Sequence, residues 1–356
     1  MLLGHGGNVG QNLSAGKQVL FDFSSNINPL GFPPAVKDFI LKNIHFISNY
    51  PDPECRSARQ FLSGHLGIKS DNIILANGSN ELIYLIPRAL NCRAATISIP
   101  GFSEYELSAK LSGSKIYPVQ SYDKDGFSID INKIKRHVHK AGMVILCNPN
   151  NPTGYLFKKS ALLDLADFCR SRRAYLIVDE AFIEFVDGYK KITLIREAVN
   201  HKNLLVLRSL TKFFGLPGLR IGYLAGDKNL IRKIGLFEPT WSVNGLAQRI
   251  IGAGLFDGGY IKRSADYIKK ERDFLFHGLQ EIAGIYPYLP SANFIFCKIL
   301  NKSLSAGSLS MKLLKTGILI RDCSNFKGLG NRFFRVAVKK RQDNLYLLAC
   351  LKKVFK

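Results

Sequence analysis

The chain has 356 residues, 46% apolar and 22% charged, and its 50 Lys and Arg outnumber 27 Asp and Glu for a formal charge of +23. That apolar fraction excludes a disordered polymer. Seven scattered cysteines with no CxxC pair exclude a disulfide-stapled mini-protein and offer no zinc-ligand spacing.

The opening MLLGHGGNVG is too short and glycine-rich for a signal peptide. Residues 1–45 read as an arm that packs with a small C-terminal domain. Apolar runs at 72–76, 94–99, 115–120, 143–147, 174–178, 203–207 and 221–226 predict strands. Amphipathic stretches at 34–44, 80–90, 105–113 and 159–172 predict helices. Strands alternating with helices predict an α/β fold with a mostly parallel, doubly wound sheet. This large domain is expected over 46–235. The texture then changes: a long helical region over about 246–283, strands at 294–299, 318–322 and 333–338, and a last helix predict a smaller α+β domain over 236–356. No apolar run approaches the roughly 20 residues of a membrane helix, so a soluble cytoplasmic protein with reduced, buried thiols is expected.

The positive charge is spread along the chain. Its densest clusters, KIKRHVHK (133–140) and VKKR (338–341), are short and lack a recognition motif. They read as solvated surface charge, with no nucleic-acid or membrane partner expected. Part of the charge is suited to drawing in small anions.

Four segments carry chemistry. In SLTKFFGLPGLRIGY (209–223), Lys212 lies in an apolar, glycine-containing loop. Desolvation depresses a lysine pKa and makes the amine a nucleophile for a carbonyl. Ser209 and Arg220 add a hydroxyl and a guanidinium suited to a phosphate. In AYLIVDEAFIEF (174–185), Asp179 closes a strand, where parallel sheets place ligands; it reads equally as a helix cap or structural ion pair. In CNPNNPTGYLF (147–157), Asn151 sits in a common kind of turn. In ANGSNELIYLI (76–86), Gly78, Ser79 and Asn80 open a helix, whose free N–H groups suit a phosphate or a plain cap.

Taken together and in this order, the segments resemble the fold-type I pyridoxal-phosphate enzymes of the aspartate aminotransferase superfamily over about residues 5–355. The resemblance implies pyridoxal 5'-phosphate as cofactor, attached through Lys212. It implies that Asp179 pairs with the ring nitrogen and Asn151 binds the phenolic oxygen. Gly78, Ser79, Asn80, Ser209 and Arg220 form the phosphate site. Phe102 in PGFSEY stacks on the ring, with Tyr105 as the alternative. Tyr50 in NYPDP resembles the tyrosine that reaches the phosphate from a second subunit, which implies a homodimer with shared active sites.

Two subfamilies are similar. Histidinol-phosphate aminotransferases carry S-x-N-E-N-P and D-E-A-Y. Here SSNINPLG (24–31) has Ile27 in place of the acid, and DEAF has Phe182 in place of the tyrosine. Both departures match the threonine-phosphate decarboxylases of cobalamin biosynthesis, which are also similar at HGGN (5–8), DFSSNINPLG (22–31), VLRSLTKFF (206–214), WSVN (241–244) and ILIRDCSNFKGL (318–329). The resemblance implies conversion of L-threonine O-3-phosphate to (R)-1-amino-2-propanol O-2-phosphate, with L-serine O-phosphate as a second substrate. A substrate with a carboxylate and a phosphate needs several cations or donors. Arg335 matches the superfamily's carboxylate arginine. Arg321, His5 and Asn26 fall where the substrate phosphate is expected, and Asn151 also faces the substrate. A DNA-binding regulator built on the same fold would need a further domain, for which the length leaves no room.

Overall fold

The computed structural model describes residues 6–7 and 19–356. Its strands are, in chain order, β1 (Phe21–Asp22), β2 (Ile73–Ala76), β3 (Ala94–Ile99), β4 (Lys115–Gln120), β5 (Met143–Cys147), β6 (Tyr175–Asp179) and β7 (Leu204–Ser209). They continue with β8 (Gly222–Gly226), β9 (Ile285–Pro287), β10 (Phe294–Ile299), β11 (Ile318–Leu319), β12 (Arg321–Asp322) and β13 (Phe333–Ala337). The helices used below are α1 (Ser79–Leu90), α2 (Ser103–Leu111), α3 (Lys159–Ser171), α4 (Gly258–Gln280) and α5 (Arg341–Val354).

The seven apolar runs of the first 226 residues form one sheet, in the order β2-β8-β7-β6-β5-β3-β4. All neighbours pair in parallel except β8, which is antiparallel to both β2 and β7. Every residue of β2, β5 and β8 is buried, as a sheet covered on both faces requires. A second, antiparallel sheet runs β12-β13-β10-β9.

Two expectations need correction. The helical region over 246–283 is two helices, Gly245–Ile250 and α4. Gly254 takes a left-handed φ of +86° between them, and Asp257 caps α4 by accepting from the Tyr260 N–H at 2.7 Å. The run ILIRD is not one strand. Its first half, β11, pairs in parallel with β1, and its second half, β12, pairs with β13. Ile320 is the crossing point between two sheets.

Residues adjacent in sequence at the ends of β6 and β7 face opposite sides of the sheet. Asp179 and Ser209 line a cavity on one side. Behind the sheet, the buried Arg208 guanidinium lies 3.2 Å from Glu184 and 3.6 Å from Glu180. Glu180 also accepts from the Thr193 hydroxyl at 2.6 Å and the Leu194 N–H at 2.9 Å. Arg208→Ala would strand two buried carboxylates, so a loss of about 3–5 kcal/mol is expected in urea unfolding of the cofactor-free protein. An unchanged midpoint would show that the cluster stabilises nothing.

Candidate active site

The parallel strands send their C-terminal ends to one side, where the following loops enclose a cavity of about 760 Å³. β2 leads into Ser79 and Asn80, β3 into Phe102, β5 into Asn151, β6 ends on Asp179, and β7 is followed by Lys212; all of these line the cavity.

Lys212 sits on the wall. Burial, reinforced by the positive charges of Arg220 and Arg335, lowers its pKa to about 8. The neutral, nucleophilic amine is therefore the majority form only above that pH. The rate at which cofactor-free protein takes up an aldehyde cofactor is expected to rise with pH and level off above about 8. Stopped-flow absorbance measures it, and a flat profile between pH 6 and 9 would contradict the desolvated amine.

Asp179 is buried on the floor. The Tyr105 hydroxyl donates to its Oδ2 at 2.6 Å and the Ala181 N–H to its Oδ1 at 2.9 Å. Burial pushes its pKa up to about 6, against the lowering effects of Tyr105, Ala181 and Lys212. Phe102 and Tyr105 both line the cavity and meet edge to face with ring centres 5.6 Å apart. The alternative ring-stacking residue, Tyr105, is thus bonded to Asp179.

Ser79, Ser209 and Arg220 converge at one end. The Ser209 and Thr211 hydroxyls lie 2.8 Å apart. Gly78 is behind this cradle and does not line it: it has φ +78°, and a Cβ there would collide with the Arg220 guanidinium. A Cβ at Gly222 would stand 2.5 Å from the Ser79 nitrogen. Both glycines let the backbone close around the cradle.

Also in the wall, Arg335 on β13 donates through Nη1 to Asn151 Oδ1 and through Nη2 to the Ser24 carbonyl at 2.8 Å. Its buried Nε has no partner among the described residues. Burial lowers its pKa to about 10, which leaves it cationic at neutral pH. Arg321 bonds the Asp322 carbonyl and Asn325 Oδ1, and lies 4.9 Å over the Phe326 ring. Buried Asn26 lines the cavity with an Oδ1 that has no partner among the described residues.

Two expected residues are not gathered in. Tyr50 is 82% exposed, away from the cavity, and packs on Trp241 with ring centres 4.6 Å apart. His5 lies outside the described residues, although its neighbours Gly6 and Gly7 line the cavity. Sequence reasoning missed Thr211, Ser24, Cys147 and the Tyr84–Glu104 pair, all at or in the wall. The hydroxyl two residues after Ser209 was a readable signal for Thr211. The others depend on tertiary placement. Lys339, expected as solvated charge, is only partly exposed and is held near Asp22, with its pKa lowered by burial.

Residues 18–351 match the class I and II aminotransferase family. The chain belongs to that family. It is 37% identical over 341 residues to a candidate threonine-phosphate decarboxylase of Caldanaerobacter subterraneus subsp. tengcongensis, covering 93% of this chain and 89% of that one. It is 33% identical to the threonine-phosphate decarboxylase of Salmonella typhimurium, covering 98% and 96%. The histidinol-phosphate aminotransferase of Clostridium acetobutylicum superposes with a TM-score of 0.87 at 34% identity, covering 94% of this chain and 99% of that structure. Enzymes of this family use pyridoxal 5'-phosphate.

The cavity fits that cofactor. It joins a lysine with a lowered pKa, a buried carboxylate beyond a strand end and a hydroxyl–guanidinium cradle. Asn80 Oδ1, Asn26 Oδ1 and Arg335 Nε are buried polar atoms with no partner among the described residues, which suits a polar ligand. All seven cysteines are buried and unpaired, and no helix among the described residues is long and apolar enough to cross a membrane.

Proposed function

We propose that this protein is a pyridoxal-phosphate-dependent decarboxylase that converts L-threonine O-3-phosphate to (R)-1-amino-2-propanol O-2-phosphate, an amine for the cobalamin nucleotide loop. L-serine O-phosphate, one methyl smaller, would give ethanolamine phosphate. A methyl is worth only about 1–3 kcal/mol in a pocket, so the preference between them is modest. The observation that carries this reading is the pairing of two cavity arginines, Arg321 and Arg335, with Ile27 and Phe182 in the same wall. The substrate has two anionic ends. Ile27 and Phe182 supply neither the acid nor the hydroxyl that the aminotransferase pattern has at those positions.

Arg335 binds the substrate carboxylate, and Arg321, with Asn26 and His5, binds the phosphate. Lys212 attaches the cofactor, Asp179 holds its ring nitrogen, Asn151 its phenolic oxygen and Phe102 its ring face. Ser79, Asn80, Ser209 and Arg220 hold its phosphate. When bound, pyridoxal phosphate supplies a sink for the electron pair left at Cα as carbon dioxide departs. Lys212, whose amine titrates near pH 8, can take up a proton and deliver it to Cα once carbon dioxide has left.

The domain division at about 46 and 236 is supported by the separation of the two sheets along the chain. A homodimer is supported by exposed apolar side chains, among them Tyr50 and Trp241, which pack on each other with ring centres 4.6 Å apart. In it, Tyr50 would reach the phosphate site of the second copy.

A second reading, histidinol-phosphate aminotransferase, is favoured by the similarity to the Clostridium acetobutylicum enzyme. Incubation with each phosphoamino acid, with released carbon dioxide and amine product quantified, tests the proposal. No carbon dioxide from either substrate would refute it.

A further inference from the structure

The floor of the cavity holds a polar contact that the functional reading does not use. Asp179 and Tyr105 are both buried, 4% and 2% exposed. The Tyr105 hydroxyl gives Asp179 Oδ2 its single described donor, and the Ala181 N–H gives Oδ1 its own. Beneath the pair is an apolar void of about 10 Å³, walled by Ile83, Ile86, Ile145, Ile177 and Leu207. A space of that size is at the lower limit for one water, and apart from the pair itself its lining is hydrocarbon, which gives a substitute donor little to hold it. Two further groups face the pair: Lys212, whose positive charge favours the ionised Asp179, and Cys147, which lies against the Tyr105 hydroxyl and directs its thiol to the Pro149 carbonyl at 3.1 Å.

Burial and the adjacent carboxylate raise the Tyr105 pKa well above that of a free phenol. The hydroxyl therefore keeps its proton and only donates. A donor to a carboxylate stabilises the ionised form, here against the burial that favours the neutral acid. Tyr105 is also anchored from behind, because it lies in the first turn of α2, with its N–H bonded to the Phe102 carbonyl at 3.2 Å. The same short segment thus fixes Phe102 at the cavity wall and Tyr105 against Asp179.

We propose that Tyr105 is a positioning residue for the cofactor ring: its hydroxyl holds Asp179 ionised and in one rotamer, so that the proton shared with the ring nitrogen stays on nitrogen. This rests on the reading that Asp179 faces that nitrogen. Removing the hydroxyl makes Asp179 a stronger base, and the shared proton then moves toward oxygen. The ring becomes a weaker electron sink while the substrate anchors, Arg321 and Arg335, are untouched.

The test uses the holoenzyme reconstituted with pyridoxal phosphate isotopically labelled at the ring nitrogen. The nitrogen chemical shift is read at neutral pH in the wild type, Tyr105→Phe and Asp179→Asn. The wild type should show a protonated nitrogen, and both variants should shift toward the unprotonated value. For Tyr105→Phe, kcat should fall roughly 10- to 100-fold, the loss expected for one hydrogen bond to a charged group, with KM changing less than about twofold. Site-specific 4-aminophenylalanine at position 105 keeps the ring size and offers a weaker N–H donor. It should give an intermediate shift, and it decides the matter should the phenylalanine variant fold poorly. A wild-type shift in the position-105 variants, with Asp179→Asn displaced, would overturn the role of Tyr105 alone. A wild-type shift in Asp179→Asn would overturn the placement of Asp179, and the proposal with it.

Discussion

Replacing Lys212 by alanine is expected to lower turnover of threonine phosphate at least about 10²- to 10⁴-fold, the range supplied by a positioned proton-transfer group. The loss has two sources. The variant has no amine to attach the cofactor, and no ammonium to give Cα its proton after carbon dioxide leaves. Asp179, Arg220 and Arg335 remain, so the cofactor should still bind, held by its phosphate and ring alone. Borohydride treatment of the wild type followed by peptide mapping should place the label on Lys212, and the variant should take up none. A label on another lysine, or turnover within tenfold of wild type, would remove Lys212 from the site.

Arg335→Gln carries the second large effect. Arg335 is buried and cationic, and its Nε has no partner among the described residues. Truncating one partner of a buried charged pair costs about 2–5 kcal/mol, or about 30-fold to several thousand-fold in kcat/KM. Arg321→Gln should fall in the same range with a different split between KM and kcat if it holds the other anionic end. The control is Lys340→Gln combined with Lys353→Gln. Both lysines are exposed, and exposed charges are screened within about 8–10 Å at ordinary salt. Equal losses from the control and from Arg335→Gln would mean that the overall +23, not the cavity, attracts the substrate.

The sheet was legible because its strands are buried on both faces and read as unbroken apolar runs, such as MVILC at β5. Lys212, Asp179, Asn151 and Ser209 were legible for a related reason: each follows or closes such a run, where the fold puts ligands. The break at Ile320 was not, since ILIRD is uniformly apolar up to Arg321 and only the presence of two sheets divides it. Lys339 resembles Lys340 in sequence, yet one is partly buried near Asp22 and the other faces solvent. The Tyr105–Asp179 bond joins residues 74 positions apart, and no local pattern encodes it. Tyr50 is exposed in a single chain, so its expected role requires a second copy.

The most direct measurement offers purified holoenzyme two reactions side by side. One vessel contains L-threonine O-3-phosphate, with carbon dioxide and the amino-alcohol phosphate quantified. The other contains histidinol phosphate and 2-oxoglutarate, with glutamate quantified. The cavity predicts rapid carbon dioxide release in the first and little glutamate in the second, because Ile27 and Phe182 replace the polar groups of the aminotransferase pattern. Faster glutamate formation than carbon dioxide release would contradict it.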